Sequence, residues 1–105
     1  MPRIRIYKRY LIDSLRDSRE ACAYLNVALE EYEKDHDTEV FLLALRDVAE
    51  AHGGLTRLAK KTKLNRQNLY RTLSESGNPR LDTLGVILNG LNLRLSIEQY
   101  GSTRN

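Results

Sequence analysis

Between Asp17 and Leu91 the apolar residues recur mostly at intervals of three and four, the period of helices with one buried stripe. Asp17, followed three residues later by Glu20, makes a capping-box-like start. Ala21, Tyr24, Leu25, Ala28, Leu29 and Tyr32 then fall on one face of a helix. After a connection at Lys34 to Asp37, Asp37 or Thr38 can cap the next helix. Its apolar positions Val40, Phe41, Leu43, Ala44, Leu45, Val48 and Ala51 cover more than one face, which predicts a central place in the core. Gly53-Gly54 ends it, since glycine takes the positive φ of a C-cap without a Cβ clash. A turn at Ser76-Gly77-Asn78-Pro79 precedes a last helix carrying Leu81, Leu84, Val86, Ile87, Leu88 and Leu91. Gly85 within it is unfavourable by about 1 kcal/mol against alanine, which predicts a close helix crossing there.

The ends of the chain have a different period. Arg-Ile-Arg-Ile-Tyr at 3–7 alternates polar and apolar, as do Leu91, Leu93, Leu95 and Ile97 with Asn92, Arg94, Ser96 and Glu98. Two short strands are therefore expected, pairing within one subunit or across a dimer, because an unpaired strand leaves its backbone groups unsatisfied. A short helix at about 10–16 follows the first.

Leu55 to Leu73, LTRLAKKTKLNRQNLYRTL, reads as two short helices joined by a tight turn. Leu55, Leu58 and Ala59 face inward, and Ala59 is small where a second helix must cross. Lys63 occupies the turn, where glycine or asparagine would adopt positive φ more easily. Leu64 returns to the core and Asn65 can cap the second helix. Leu69 and Leu73, four apart, are its buried pair. This is the pattern of a helix-turn-helix, whose second helix enters the DNA major groove. The expected fold is thus all-α, a repressor-like helix-turn-helix domain of five or six helices with short N- and C-terminal strands at most. One domain of 105 residues is expected, with an N-terminal strand and acidic helical extension at 1–37, a core at 38–98 and a flexible tail at 99–105.

Charge sharpens this picture. The formal net charge of +3 conceals segregation: residues 13–52 hold 11 acids against 4 bases, whereas residues 53–81 hold 7 bases against Glu75 alone. Two surfaces for two partners follow. On the second helix of the motif, Arg66, Gln67, Tyr70 and Arg71 lie along the exposed face and are the expected base contacts, arginine being bidentate to guanine and glutamine to adenine. Arg57, Lys60, Lys61, Lys63, Asn65, Asn68 and Arg80 are the phosphate candidates, giving register and salt-dependent affinity. Glu30, Glu31 and Glu33 crowd a helix C-terminus, where the dipole disfavours them, and are candidates for docking a basic partner.

Other classes find little support. His36 and His52 lack neighbours at metal-ligand spacing, the serines have no nucleophile-elbow context, and no glycine-rich phosphate loop follows a strand. No enzyme, cofactor or metal is expected, and His52 reads as a partner of a helix C-terminal dipole. No apolar run of 18 residues predicts a membrane span, and the basic N-terminus lacks the apolar core and cleavage site of a signal peptide. The lone Cys22, among Ala21, Ala23 and Tyr24, reads as a buried structural thiol in a reducing cytoplasm.

Four segments carry a family resemblance: AYLNVALEE at 23–31, FLLALRDVAEAHGG at 41–54, LAKKTKLNRQNLYRTLSESGNP at 58–79 and RLDTLGVILNGLNLRLSI at 80–97. Together they resemble the addiction-module antidote proteins, HigA-like prophage antitoxins with a Cro/repressor-type helix-turn-helix, over about residues 10–98. The resemblance implies a homodimer that neutralises a cognate small basic toxin of the RelE/ParE superfamily and represses their shared promoter. A two-fold dimer would set two recognition helices about 34 Å apart on a palindromic operator. Lys63 replaces a glycine common in the family's turn, and Asn92 one that often precedes the final strand. The alternatives are a solitary prophage-type regulator without a toxin, which a toxin-sized neighbouring reading frame would disfavour, and a protein-interaction inhibitor with little DNA binding.

Overall fold

The computed structural model describes residues 2–101, with side chains from residue 6 onward. Six helices follow in order: α1 (Pro2–Ser14), α2 (Ser18–Asp35), α3 (Glu39–Ala51), α4 (Gly54–Thr62), α5 (Arg66–Thr72) and α6 (Leu81–Gly90). The protein is all-α, a helix-turn-helix-like domain, and no strand forms among the described residues.

Helix α3 is the hub. Phe41, Leu42, Ala44, Leu45, Val48 and Ala49 are all buried, and α1, α2 and α4 pack against it, while α4 also contacts α5 and α6. One cluster of buried side chains runs from Leu15 to Leu91 and includes Leu58, Leu69, Leu73 and Ile87. Val40 and Leu43 remain exposed, so α3 keeps a solvent side despite the apolar residues on it.

The caps follow local chemistry. The Asp17 carboxylate accepts from Arg19 N at 2.8 Å and starts α2. Asp37 accepts from Glu39 N at 2.9 Å, although Thr38 holds the N-cap position of α3. His36 ends α2 with φ 60°, its N–H on Tyr32 O, and Gly53 and Gly54 take φ 108° and 87° between α3 and α4.

Several expectations are corrected. Residues 3–7 lie in α1, not in a strand, and α1 absorbs the short helix expected at 10–16. Alternation over five residues could not outweigh α1's docking on α3, which buries Leu15 and half-buries Leu11 and Ile12. Residues 93–99 have neither helix, turn nor ladder partner. Cys22 is exposed rather than buried, because the stripe of α2 passes through Ala21, Leu25 and Ala28. Leu29, expected on that stripe, is exposed too. At Gly85 an added Cβ would meet nothing within 4 Å, so no helix crosses there; the close approach is at Gly90, against Thr62 Cγ2 and Leu58 Cδ1. His52 is the C-cap of α3, and its Nε2 is 3.0 Å from Leu15 O, joining the end of α3 to that of α1. The expected tail at 99–105 falls largely outside the described residues.

Between α2 and α3 the Tyr24 hydroxyl donates to Asp47 Oδ2 at 2.7 Å. Burial, then the hydrogen bond and charge of Asp47, push the Tyr24 phenol up from 10.0 to about 12. A group whose folded pKa is raised stabilises the fold below its unfolded pKa and loses that contribution as pH rises to the folded one. The stability difference between wild type and Tyr24→Phe should therefore be constant below pH 10 and shrink between pH 10 and about 12. Urea unfolding at several pH values measures it, and a difference that stays constant to pH 12 would refute the linkage.

Candidate functional site

The site is built on α4 and α5. Helix α4 ends when Lys63 takes φ 63°, a left-handed C-cap. That conformation is about 1–2 kcal/mol less favourable for a side chain with a Cβ than for glycine. Thr62 braces the turn: its hydroxyl donates to Leu58 O at 2.7 Å and accepts from Leu64 N at 3.3 Å. Asn65 follows in extended conformation, and its Oδ1 accepts from Asn68 N at 3.1 Å, the expected N-cap of α5. Leu69 and Leu73, 1% and 0% exposed, pin the inner side of α5 to the core.

That anchoring turns Arg66, Gln67, Tyr70 and Arg71 outward, and all four are exposed. They are not equivalent. Gln67 and Arg71 make no side-chain hydrogen bond or ion pair among the described residues. Arg66 Nε donates to Thr56 Oγ1 at 2.8 Å, which fixes the guanidinium against the first turn of α4 and leaves its two terminal nitrogens available. Tyr70, 56% exposed, carries the Arg46 guanidinium 5.4 Å from its ring centroid, a cation–π contact that limits where the phenol can turn.

The phosphate candidates surround this face. Arg57, Lys60, Lys61, Lys63 and Asn68 are exposed and their side chains take no partner among the described residues. Asn65 is exposed, but its amide oxygen is occupied by the cap. Arg80 stands just before α6, with Nε 3.4 Å from Asp82 Oδ1. Glu30, Glu31 and Glu33 are exposed on the last turns of α2, where Glu31 meets Lys34 at 3.2 Å. Helix α2 packs on α3 rather than on α5, so the acidic and basic groups stand on different elements.

Sequence reasoning missed Thr56 and Arg46. Their contacts span ten and twenty-four positions and depend on how α3, α4 and α5 dock, for which periodicity gives no signal. By contrast, the cleft between α1 and the end of α3 mixes signs: Lys8 lies 3.8 Å from Glu50 and Arg16 lies 3.4 Å from Asp13. The unpaired cations of α4 and α5 form a more uniform field. No group of three or more His, Cys, Asp or Glu residues among the described residues could hold a metal ion, and no described helix is long and apolar enough to cross a membrane.

Fold and site together define a small all-α, helix-turn-helix-like protein with one basic and one acidic helical surface. A family model described as "Probable addiction module antidote protein" matches residues 6–99, and the chain belongs to that family. An uncharacterized protein of Haemophilus influenzae (strain ATCC 51907 / DSM 11121 / KW20 / Rd) is 32% identical over 87 residues, 83% of this chain and 84% of the relative. No solved structure gives a significant match. An antidote acts within a toxin–antitoxin module, so membership implies a cognate toxin as partner.

Proposed function

We propose that this chain is the DNA-binding antitoxin of a type II module, which neutralises a RelE/ParE-superfamily toxin by direct binding and, as a homodimer, represses their shared promoter. The observation that carries the reading is the outer face of α5, where Gln67 and Arg71 stand unpartnered beside a pre-oriented Arg66 on a helix capped by Asn65. Placed with its N-terminal end in a major groove, α5 would bring Arg66 and Gln67 to base edges. Arg57, Lys60, Lys61 and Lys63 would meet phosphates, and Tyr70 and Arg71 would reach bases or the sugar-phosphate edge one turn later. The chain acts by binding, without catalysis.

Toxin capture belongs to the acidic surface of α2. A toxin that engages RNA is basic, and Glu30, Glu31 and Glu33 offer it exposed carboxylates. Co-expression of the chain with the product of the adjacent gene should yield a stable complex that shifts their promoter in a gel. Reversing Glu30, Glu31 and Glu33 to lysine should weaken toxin binding by about tenfold or more while DNA affinity holds or rises. If titration calorimetry finds toxin affinity unchanged, docking on α2 is wrong; failure of the neighbour to co-purify would remove the antitoxin reading itself.

A further inference from the structure

Between α1 and the turn from α3 to α4 lies an open cleft of about 830 Å³, on which charged side chains from separate elements converge. Lys8 and Arg9 come from the middle of α1, Arg16 from the turn after it, and Arg57 from the first turn of α4. Against these four cations stand only Asp13 and Glu50, so the lining carries a surplus of two positive charges. The walls are joined by His52, whose Nε2 is 3.0 Å from Leu15 O, and by Lys8, 3.8 Å from Glu50 Oε1.

These cations are available to a ligand. Arg9 and Arg57 make no hydrogen bond or ion pair among the described residues. The pairs Arg16 with Asp13 and Lys8 with Glu50, at 3.4 and 3.8 Å, are more than half exposed on both sides, and pairs of that kind hold their partners weakly. Arg57 lies along the cleft wall: its Cβ and Cγ are 3.2 and 3.3 Å from where a Cβ on Gly53 would stand, so the side chain crosses the glycine. No charged side chain of the lining is buried, whereas a small-molecule site encloses most of its ligand. The cleft therefore suits a phosphate presented at its rim by a polymer, held by charge and by the bidentate fork of arginine. Its surroundings say which polymer. Lys60 and Lys61 follow Arg57 at three and four positions, on the same face of α4. The Arg66–Thr56 contact at 2.8 Å sets the start of α5 against that same first turn of α4. A duplex with α5 in its groove has its backbone beside α4, and the cleft lies next along that line.

We propose that this cleft clamps the sugar-phosphate backbone flanking the base pairs read by α5, with Arg9 and Arg16 closing on it from the α1 side and Arg57 from α4. The proposal rests on the DNA binding proposed above and extends its footprint to α1. Asp13 and Glu50 each neutralise one cation, so the unpaired Arg9 and Arg57 take the phosphate directly. Arg16 spends one contact, through Nη1, on Asp13 and keeps further donors for the ligand. Contacts of this kind carry no sequence information, so they add affinity without altering preference.

Anisotropy titrations of the full chain on the duplex upstream of its own gene and on a scrambled duplex, over a salt series, test the clamp. Arg9→Ala with Arg16→Ala should weaken both complexes by about tenfold or more, shrink the slope of log affinity against log salt by about 2, and leave the ratio between the duplexes unchanged. Both side chains are exposed, so circular dichroism of that variant should remain native. Arg19→Ala with Lys34→Ala removes the same charge from α2, which packs on α3, and should leave affinity and slope close to wild type. Ethylation of a phosphate beside the α5 site should weaken wild type and make little difference to the Arg9 and Arg16 variant. Equal losses in the two charge-matched variants would reduce α1 to a diffuse field and overturn the clamp. So would a cleft that binds inorganic phosphate in calorimetry while Arg9→Ala with Arg16→Ala leaves DNA affinity intact, since that assigns it to a free anion. In either case α5 remains the reading helix, whereas a wild type that binds neither duplex removes DNA binding and the clamp together.

Discussion

A single methyl group at residue 77 is expected to destabilise the protein by about 1–3 kcal/mol. On Gly77 it would lie 2.0 Å from Thr72 O, 2.7 Å from Thr72 C and 3.0 Å from Arg71 O, all backbone atoms at the end of α5. No rotamer change relieves such a clash. The turn held by Gly77 N on Ser74 O at 2.9 Å or the last turn of α5 must move, so Gly77→Ala should impair DNA binding along with stability. The same methyl on Gly85 has the opposite sign. It meets nothing within 4 Å in mid-α6, and the helix propensity of alanine should stabilise the protein by up to about 1 kcal/mol. In thermal unfolding, each kcal/mol shifts Tm by roughly 4–8 °C for a chain of this class. A tolerated Gly77→Ala beside a damaging Gly85→Ala would mean that α5 and α6 do not sit as described.

Replacing Arg66 and Gln67 together by alanine should remove about 1–3 kcal/mol of discrimination for each bidentate hydrogen-bond pair to a base. Affinity for the operator would then fall toward that for unrelated duplex, with little change in stability, because both side chains are exposed. Lys60→Ala with Lys61→Ala should act differently. All sequences would be bound more weakly, and the slope of log affinity against log salt should shrink by about 2, near 0.9 per phosphate neutralised. Fluorescence anisotropy on specific and scrambled duplexes separates the two patterns. If the Arg66 and Gln67 variant kept its full sequence preference, α5 would not be the reading helix.

Local rules carry most of the fold into the sequence. The cap at Asn65, the buried pair Leu69 and Leu73 and the break at Gly53-Gly54 each depend on a few neighbouring residues, and each is legible before the structure. Illegible features depend on docking. Arg-Ile-Arg-Ile-Tyr has a strand's alternation, yet it enters a helix whose later residues Leu11 and Ile12, with Leu15 just beyond its end, pack inward. Gly85 and Gly90 look alike as helical glycines, and only the approach of Thr62 and Leu58 distinguishes them. In the candidate site, exposure of the chosen cations follows from helix phase. The hold of Thr56 on Arg66 and the cover of Arg46 on Tyr70 join separate helices and leave no periodic trace.

Whether α5 reads DNA on behalf of an antidote is tested most directly by an anisotropy titration of the purified chain. The two ligands are the duplex upstream of its own gene and a scrambled duplex of equal length, across a salt series. Specific protein–DNA recognition predicts a preference of about a thousandfold or more for the upstream duplex, with affinity falling steeply as salt rises. Equal affinity for the two duplexes at every salt concentration would contradict it.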